Sequence, residues 1–331
     1  MNPVVPAARC VVLTSPAPGA IAILHLVGDV AATLPAITGR DDWPVGSVRL
    51  VEIAGIDAGL VTRPAVDVAQ CMPHGGPRVV QRILETLEEA GVTHHAPREV
   101  DPRLRYPEAA DDAEALTLAA IARARSPLAI DRLLDEPRRW RAGRRVIADA
   151  DVERGRTLDR LLTPPTVVLA GAPNVGKSTL TNTLLGRVVA IARDQPGTTR
   201  DYTATEVDLA GLVVVWHDTP GRRGDADRLE RQALAIAERV IAAADYVVAV
   251  ADPDHEWPVL SRRADLRLAT KADLRPRPDA DLAIDGRSPP EVRTLALRIR
   301  DDLVPPAILA DPGRWPFDAR LGRPSAQAPP D

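Results

Sequence analysis

The chain has 331 residues, 45% apolar and 27% charged, which gives room for two or three domains and a sizeable buried core. Its formal net charge of −4 supplies no basic field for non-specific nucleic-acid binding, and with aromatics at 3% the core must be built from Val, Leu, Ile and Ala. Cys10 and Cys71 make neither a disulfide framework nor a CxxC metal site, MNPVVPAARCVVLTSP lacks the pattern of a signal peptide, and no apolar run reaches the ~18 residues that span a bilayer, so a cytoplasmic chain with reduced thiols is expected.

Residues 1–97 mix short β-like runs, CVVLT, AIAILHLVG and SVRLVEI, with a helix predicted over 77–92. In that helix Val80, Ile83, Leu84 and Leu87 share one face, Pro77 suits the first turn, and Gly91 supplies the stop. A small α+β domain is expected there. Residues 98–160 are rich in Ala, Arg and Leu, and AEALTLAAIARA at 113–124 predicts a helix within a short helical segment. At 161–303 the apolar run TVVLAG opens an alternation of strand and helix signals, which predicts a three-layer α/β domain on a mostly parallel sheet. Residues 304–331 read as a Pro-rich tail, disordered at its end.

Of the 42 basic residues only Lys177 and Lys271 are lysine, and each falls in a motif. Gly171-Ala-Pro-Asn-Val-Gly-Lys-Ser178 is a complete GxxxxGK[ST] loop between a strand and the helical STLTNTLLG. Gly171 and Gly176 permit a backbone that aims N–H groups, with Asn174, Val175 and Thr179 around them, at phosphate oxygens. The following helix points its positive end at the same anion. Lys177 would reach the β- and γ-phosphates as a compact charge, where arginine's planar fork is too large, and Ser178 would ligate Mg²⁺. The second lysine lies in Thr270-Lys-Ala-Asp273, the spacing of the guanine-reading [NT]KxD motif. Asp273 can accept from both N1–H and N2–H₂ of guanine, a donor pair that adenine lacks. Lys271 would lie along the base and brace the P-loop, and Thr270 stands where asparagine is usual.

Pro196-Gly-Thr-Thr-Arg-Asp201 looks like a switch I segment, with Thr198 beside Thr199, which would complete the Mg²⁺ shell. Asp218-Thr-Pro-Gly221 follows the run LVVVW and looks like DxxG, with Asp218 holding the metal through water and the Gly221 N–H bonding the γ-phosphate. The order of the four segments points to GTP and GDP as ligands.

GAPNVGKSTLTNTLLGR, AIARDQPGTTRD, HDTPGRRGDADRLERQALAIAE and MPHGGPRVVQRILETLEEAG together resemble the tRNA modification GTPase MnmE (TrmE) family over about two thirds of the chain. The resemblance implies a P-loop GTPase domain behind a dimerising N-terminal domain, hence a homodimer, and a possible partner protein in tRNA modification. It further implies K⁺-assisted hydrolysis, with K⁺ held by Asn174 and by a loop matching Arg193 and Gln195. Arg222 follows DxxG where small GTPases carry a water-orienting Gln. The resemblance gives that role to Glu230, the alternative being a solvated charge on a helix face.

Departures from the family shape the expectation. No cysteine follows Cys71, so the family's C-terminal cysteine motif is missing, along with half of its helical domain. In ILHLVG, His25 replaces an arginine suited to anionic folate and Val27 a serine, which argues against folate; His25 and His74 read as structural. DPDHEWPVLSRR is too short for the helix usual between DxxG and TKAD, and LAIDG is the nearest candidate for the guanine-contacting SA motif. The reading is therefore a GTP-hydrolysing switch. The alternatives are a shortened enzyme assisting wobble-uridine modification and a non-hydrolysing nucleotide-binding dimerisation module.

Overall fold

Apolar runs with β-branched residues, too short to be helices, extend and pair in the N-terminal third. Strands β1 (Arg9–Val12), β2 (Leu24–Val27), β3 (Ser47–Ile53), β4 (Asp57–Ala65), β5 (Val68–Met72) and β6 (Thr93–His94) form one sheet in the order β3-β4-β5-β2-β1-β6. Its pairs are antiparallel except β1 with β6. Pro64 sits in β4 where the register shifts between Thr62 and Ala65, so its missing N–H breaks no regular rung. Helix α2 (Pro77–Glu89) buries Ile83 and Leu87 against Leu24, Leu26, Leu34, Ile53 and Val61, and α1 (Val30–Thr38) closes the same core. On the opposite side Val48, Leu50 and Leu60 stand exposed, with Leu50 directly across from Leu60.

This computed structural model describes residues 8–14, 17–96, 99–142, 146–187, 204–218 and 237–321. They fall into two units, 1–119 and 120–331, with the boundary inside α4 (Asp112–Ile121). Unit one also contains α3 (Pro102–Arg105).

In unit two, β7 (Thr166–Gly171), β8 (Ala204–Leu209), β9 (Leu212–Asp218), β10 (Tyr246–Ala251), β11 (Leu266–Ala269) and β12 (Leu282–Ala283) give the order β12-β11-β10-β7-β9-β8. All pairs are parallel except the β8–β9 hairpin. The central strands β7 and β10 are nearly all apolar, as strands covered on both faces must be. The edge strand β8 reads ATEVDL and is only partly buried. Chain order reverses between β7 and β10, and the crevice at their carboxyl ends is where such sheets bind ligands. Helices α7 (Lys177–Arg187) and α8 (Pro289–Leu303) belong to this domain. The segment 252–264 contains no helix, as its length requires. It is pinned instead by Arg277, whose Nη1 donates to Asp252 O at 2.7 Å and whose guanidinium lies 4.4 Å from the Trp257 ring centroid.

Helices α5 (Pro127–Ala142) and α6 (Asp149–Leu158) carry the remaining helical segment. Past α9 (Pro306–Ala310), the first part of the Pro-rich tail is docked on them. Trp315 is fully buried, its backbone N–H donating to Glu136 Oε2 and its indole N–H to Asp159 Oδ1, both at 2.9 Å. Glu136 pairs with Arg132 at 3.0 Å, and both are buried. The tail's end, 322–331, lies outside the described residues. No helix among the described residues is long and apolar enough to cross a membrane.

Candidate functional site

The loop after β7 turns back sharply because two positions need glycine. A Cβ on Gly171 would run into Val250 O on the neighbouring β10, and Gly176 has φ +93°. Asn174 is also left-handed, at φ 62°, a conformation its short amide tolerates, and its side chain is exposed. Val175 is fully buried and anchors the turn, while Ser178 and Thr179 lie exposed at the start of α7.

Lys177 opens α7 and folds back across the loop. Its ammonium donates to Gly171 O and Ala172 O, both at 2.9 Å, leaving a third N–H for an anion. Burial lowers its pKa, and the nearby Asp218 works against that. Asp218 ends β9, and its Oδ2 accepts from Ser178 Oγ at 3.2 Å. Burial pushes the Asp218 carboxyl up, against Lys177 and the Ser178 hydroxyl. A hydroxyl and a half-buried carboxylate in contact are hard oxygen donors of the kind Mg²⁺ takes, with its remaining ligands from water and phosphate. Among the described residues no group of three or more His, Cys, Asp or Glu is placed to hold a metal.

The TKAD loop leaves β11 beside the P-loop. The buried Thr270 hydroxyl donates to Val175 O and lies 3.3 Å from Ala251 O, so the residue in the asparagine position ties the two loops together. Lys271, at φ 54°, reaches the Asp252 carboxylate, with Nζ 2.5 Å from Oδ2. Sequence reasoning gave the brace to Lys271; here Thr270 makes the P-loop contact. Asp252 is buried and also accepts from His255 Nδ1 at 2.6 Å. Burial alone would push its carboxyl up, but the bonds from Lys271, His255 and the Asp254 N–H outweigh that and hold it at about 2. Asp273 is half exposed, and its Oδ2 accepts from Arg287 Nη2 at 2.9 Å.

The structure thus gathers Gly171, Asn174, Val175, Gly176, Lys177, Ser178, Thr179 and Asp218 at one end of β7 and β9, with Thr270 joined to Val175. Lys271 and Asp273 follow in the same loop, each held by a carboxylate or guanidinium that the sequence did not single out. Arg193, Gln195, Thr198, Thr199, Gly221 and Glu230 lie outside the described residues. Asp252 and Arg287 were missed by motif reading. The only signal for Asp252 was an acidic residue directly after the apolar strand YVVAVA.

Residues 166–274 match the family described as 50S ribosome-binding GTPase. The chain is 36% identical over 77% of its length to the tRNA modification GTPase MnmE of Methylobacterium radiotolerans, covering 57% of that protein. It is 31% identical to the MnmE of Synechococcus sp. (strain CC9605), over 73% of this chain and 67% of that one. The chain belongs to the MnmE family. Its G domain is a P-loop GTPase domain, with the sheet order described above. Against the MnmE of Ruegeria sp. (strain TM1040) the match is 43% identical but spans 32% of that protein. Among solved structures, a Tyr-to-Ala variant of Aquifex aeolicus Era bound to GDP·AlF₄⁻ aligns at a TM-score of 0.27 and 24% identity, over 42% of this chain and 47% of that one.

In unit one His25 is fully buried, its Nε2–H donating to Leu104 O at 2.9 Å while Gln70 Nε2 lies 3.3 Å from Nδ1. Burial lowers its pKa, against the hydrogen bond to Leu104 O. His74 sits with Nδ1 3.0 Å from both Asp57 oxygens. Beside α2 lies a cavity of about 920 Å³, lined by apolar residues such as Val12, Ile21, Val80 and Leu84, with Glu85 and Glu88 among its polar groups.

Proposed function

We propose that this MnmE relative binds GTP with Mg²⁺ and hydrolyses it to GDP and phosphate, acting as a switch. The observation that carries the reading is the meeting of Lys177, Ser178 and Asp218 at the carboxyl end of β7, with Thr270 fastening the TKAD loop to the same P-loop. Lys177 binds the β- and γ-phosphates, and the P-loop N–H groups orient them. Asp273 accepts from the guanine edge. Ser178, Asp218 and Thr199 would hold Mg²⁺, which would supply positive charge to offset that developing on the transferring phosphoryl group. Gly221 and Thr198 would contact the γ-phosphate.

Hydrolysis needs a further positive charge, since an arginine finger is worth about 10³ to 10⁵ in rate. We assign that role to K⁺ held by Asn174 with the backbone around Arg193 and Gln195, and the placing of the attacking water to Glu230. The exposed amide of Asn174, in its left-handed turn at the loop's tip, supports the first assignment.

A homodimer is part of the proposal, supported by the uncovered apolar face of Val48, Leu50 and Leu60 on the β3–β4 hairpin. The names of the relatives favour a second reading, in which a cytoplasmic chain assists tRNA modification beside a partner protein. Folate stays doubtful: His25 stands where the family's arginine is expected, and the carboxylates of Glu85 and Glu88 are in the lining of the cavity beside α2. Calorimetric titration of the whole chain with GTP and ATP in Mg²⁺ tests the core reading. GTP should bind more tightly than ATP, and Lys177→Ala should abolish binding. Equal binding of the two nucleotides would contradict it.

A further inference from the structure

The carboxylate assigned to the base does not stand alone. Asp273 Oδ2 accepts from Arg287 Nη2 at 2.9 Å, and Arg287 belongs to the loop between β12 and α8. That loop is brought to the TKAD turn by the parallel pairing of β11 with β12, Leu268 opposite Leu282 and Ala269 opposite Ala283. Arg287 is held at its own end as well. Asp285 Oδ1 accepts from its backbone N–H at 2.9 Å and from its Nε at 3.2 Å. Asp285 is fixed in turn, its N–H donating to Glu291 Oε2 in the first turn of α8 at 2.8 Å. The result is a relay, Glu291 to Asp285 to Arg287 to Asp273, running from a helix start to the base-reading group.

As a stability device this relay is weak. The Arg287 and Asp273 side chains are 67% and 35% exposed, and exposed ion pairs contribute little. Its geometric effect is another matter. Reading guanine requires both carboxylate oxygens to lie in the plane of N1–H and N2–H₂, and an untethered exposed aspartate visits several rotamers. An ionised carboxylate has about four acceptor positions. The guanidinium takes one of them on Oδ2, so Oδ1 and the second lone pair of Oδ2 remain for the base. Arginine suits the task because its planar fork fixes direction as well as charge.

We propose that Arg287 is a positioning residue that aims Asp273 at the guanine edge, with Asp285 holding Arg287 in place. The inference rests on Asp273 being the guanine-reading group. It also gives the IDGR segment a role in base selection although it lacks the SA pattern.

The test compares GTP, ITP and ATP on the full chain in Mg²⁺. Inosine keeps N1–H and lacks the 2-amino group, so only GTP uses both oxygens of a well-aimed carboxylate. Arg287→Ala should weaken GTP about tenfold, the scale of one hydrogen bond to a charged group. ITP should weaken less, because a single contact can be recovered by rotating the aspartate, so the GTP/ITP preference narrows. Arg287→Lys should restore part of that preference, and Asp285→Ala should narrow it in the same direction. An unchanged GTP/ITP ratio in Arg287→Ala, an equal loss for all three nucleotides, or tighter GTP binding would overturn the inference. A wild-type chain that does not prefer GTP to ATP would instead sink the base reading on which it rests.

Discussion

Replacing Asp252 by asparagine should lower the stability of unit two by about 2 kcal/mol at pH 7. The magnitude follows from the carboxyl being held at about 2 rather than the ordinary 3.8 while its side chain is buried. Each tenfold step in proton affinity is worth about 1.4 kcal/mol, and the folded state favours the ionised form. The pKa is depressed on folding, so the stabilisation is fully present above the unfolded value and is lost as pH falls through the folded one. The window is therefore pH 4 to 2, with about half of the effect left at pH 3. Urea denaturation of wild type and Asp252→Asn should show a constant gap from pH 7 to about 4 that closes below it. For a unit of this size the neutral-pH gap corresponds to roughly 4–8 °C in midpoint temperature. The same change frees Lys271, half exposed in its left-handed turn, and GTP affinity should fall with it. Equal stability of the two proteins at pH 7, or a gap that persists undiminished at pH 3, would refute the reasoning.

Asp273→Asn should weaken GTP and reduce the preference for GTP over ATP, because an amide accepts only one of guanine's two donors; competition titrations measure both. Trp315→Ala should cost unit two about 3–5 kcal/mol, since it empties a fully buried site and removes the indole donor from Asp159, and denaturant midpoints will report it. Burial pushes the thiols of Cys10 and Cys71 up to about 12, so neither should react with thiol reagents at pH 8 until the protein unfolds. A Cys10→Ser, Cys71→Ser double variant that still folds should keep its GTP affinity and turnover.

What the sequence made legible was local. The P-loop, β7 and α2 are written in contiguous residues whose spacing fixes their conformation, and the structure places Pro77–Glu89 and Thr166–Gly171 where the pattern put them. Helix α1 was illegible because Pro35 lies inside it, and β4 because Pro64 interrupts its alternation at a register shift. Arg132 and Glu136 resemble any solvated i,i+4 pair, yet both are buried, since the tail brings Trp315 onto them from 179 residues away. The same holds at the site. Motif spacing located Lys177, Lys271 and Asp273, but the partners that set their geometry, Asp252 and Arg287, are joined to them by sheet pairing that no short pattern encodes.

The central claim is that this chain turns GTP over, and phosphate release by the purified full chain with Mg²⁺ tests it most directly. Turnover should appear in KCl, fall when Na⁺ replaces K⁺ at constant ionic strength, and vanish in Lys177→Ala. Bound GTP that yields no phosphate in either salt would contradict the account and leave a nucleotide-holding module in its place.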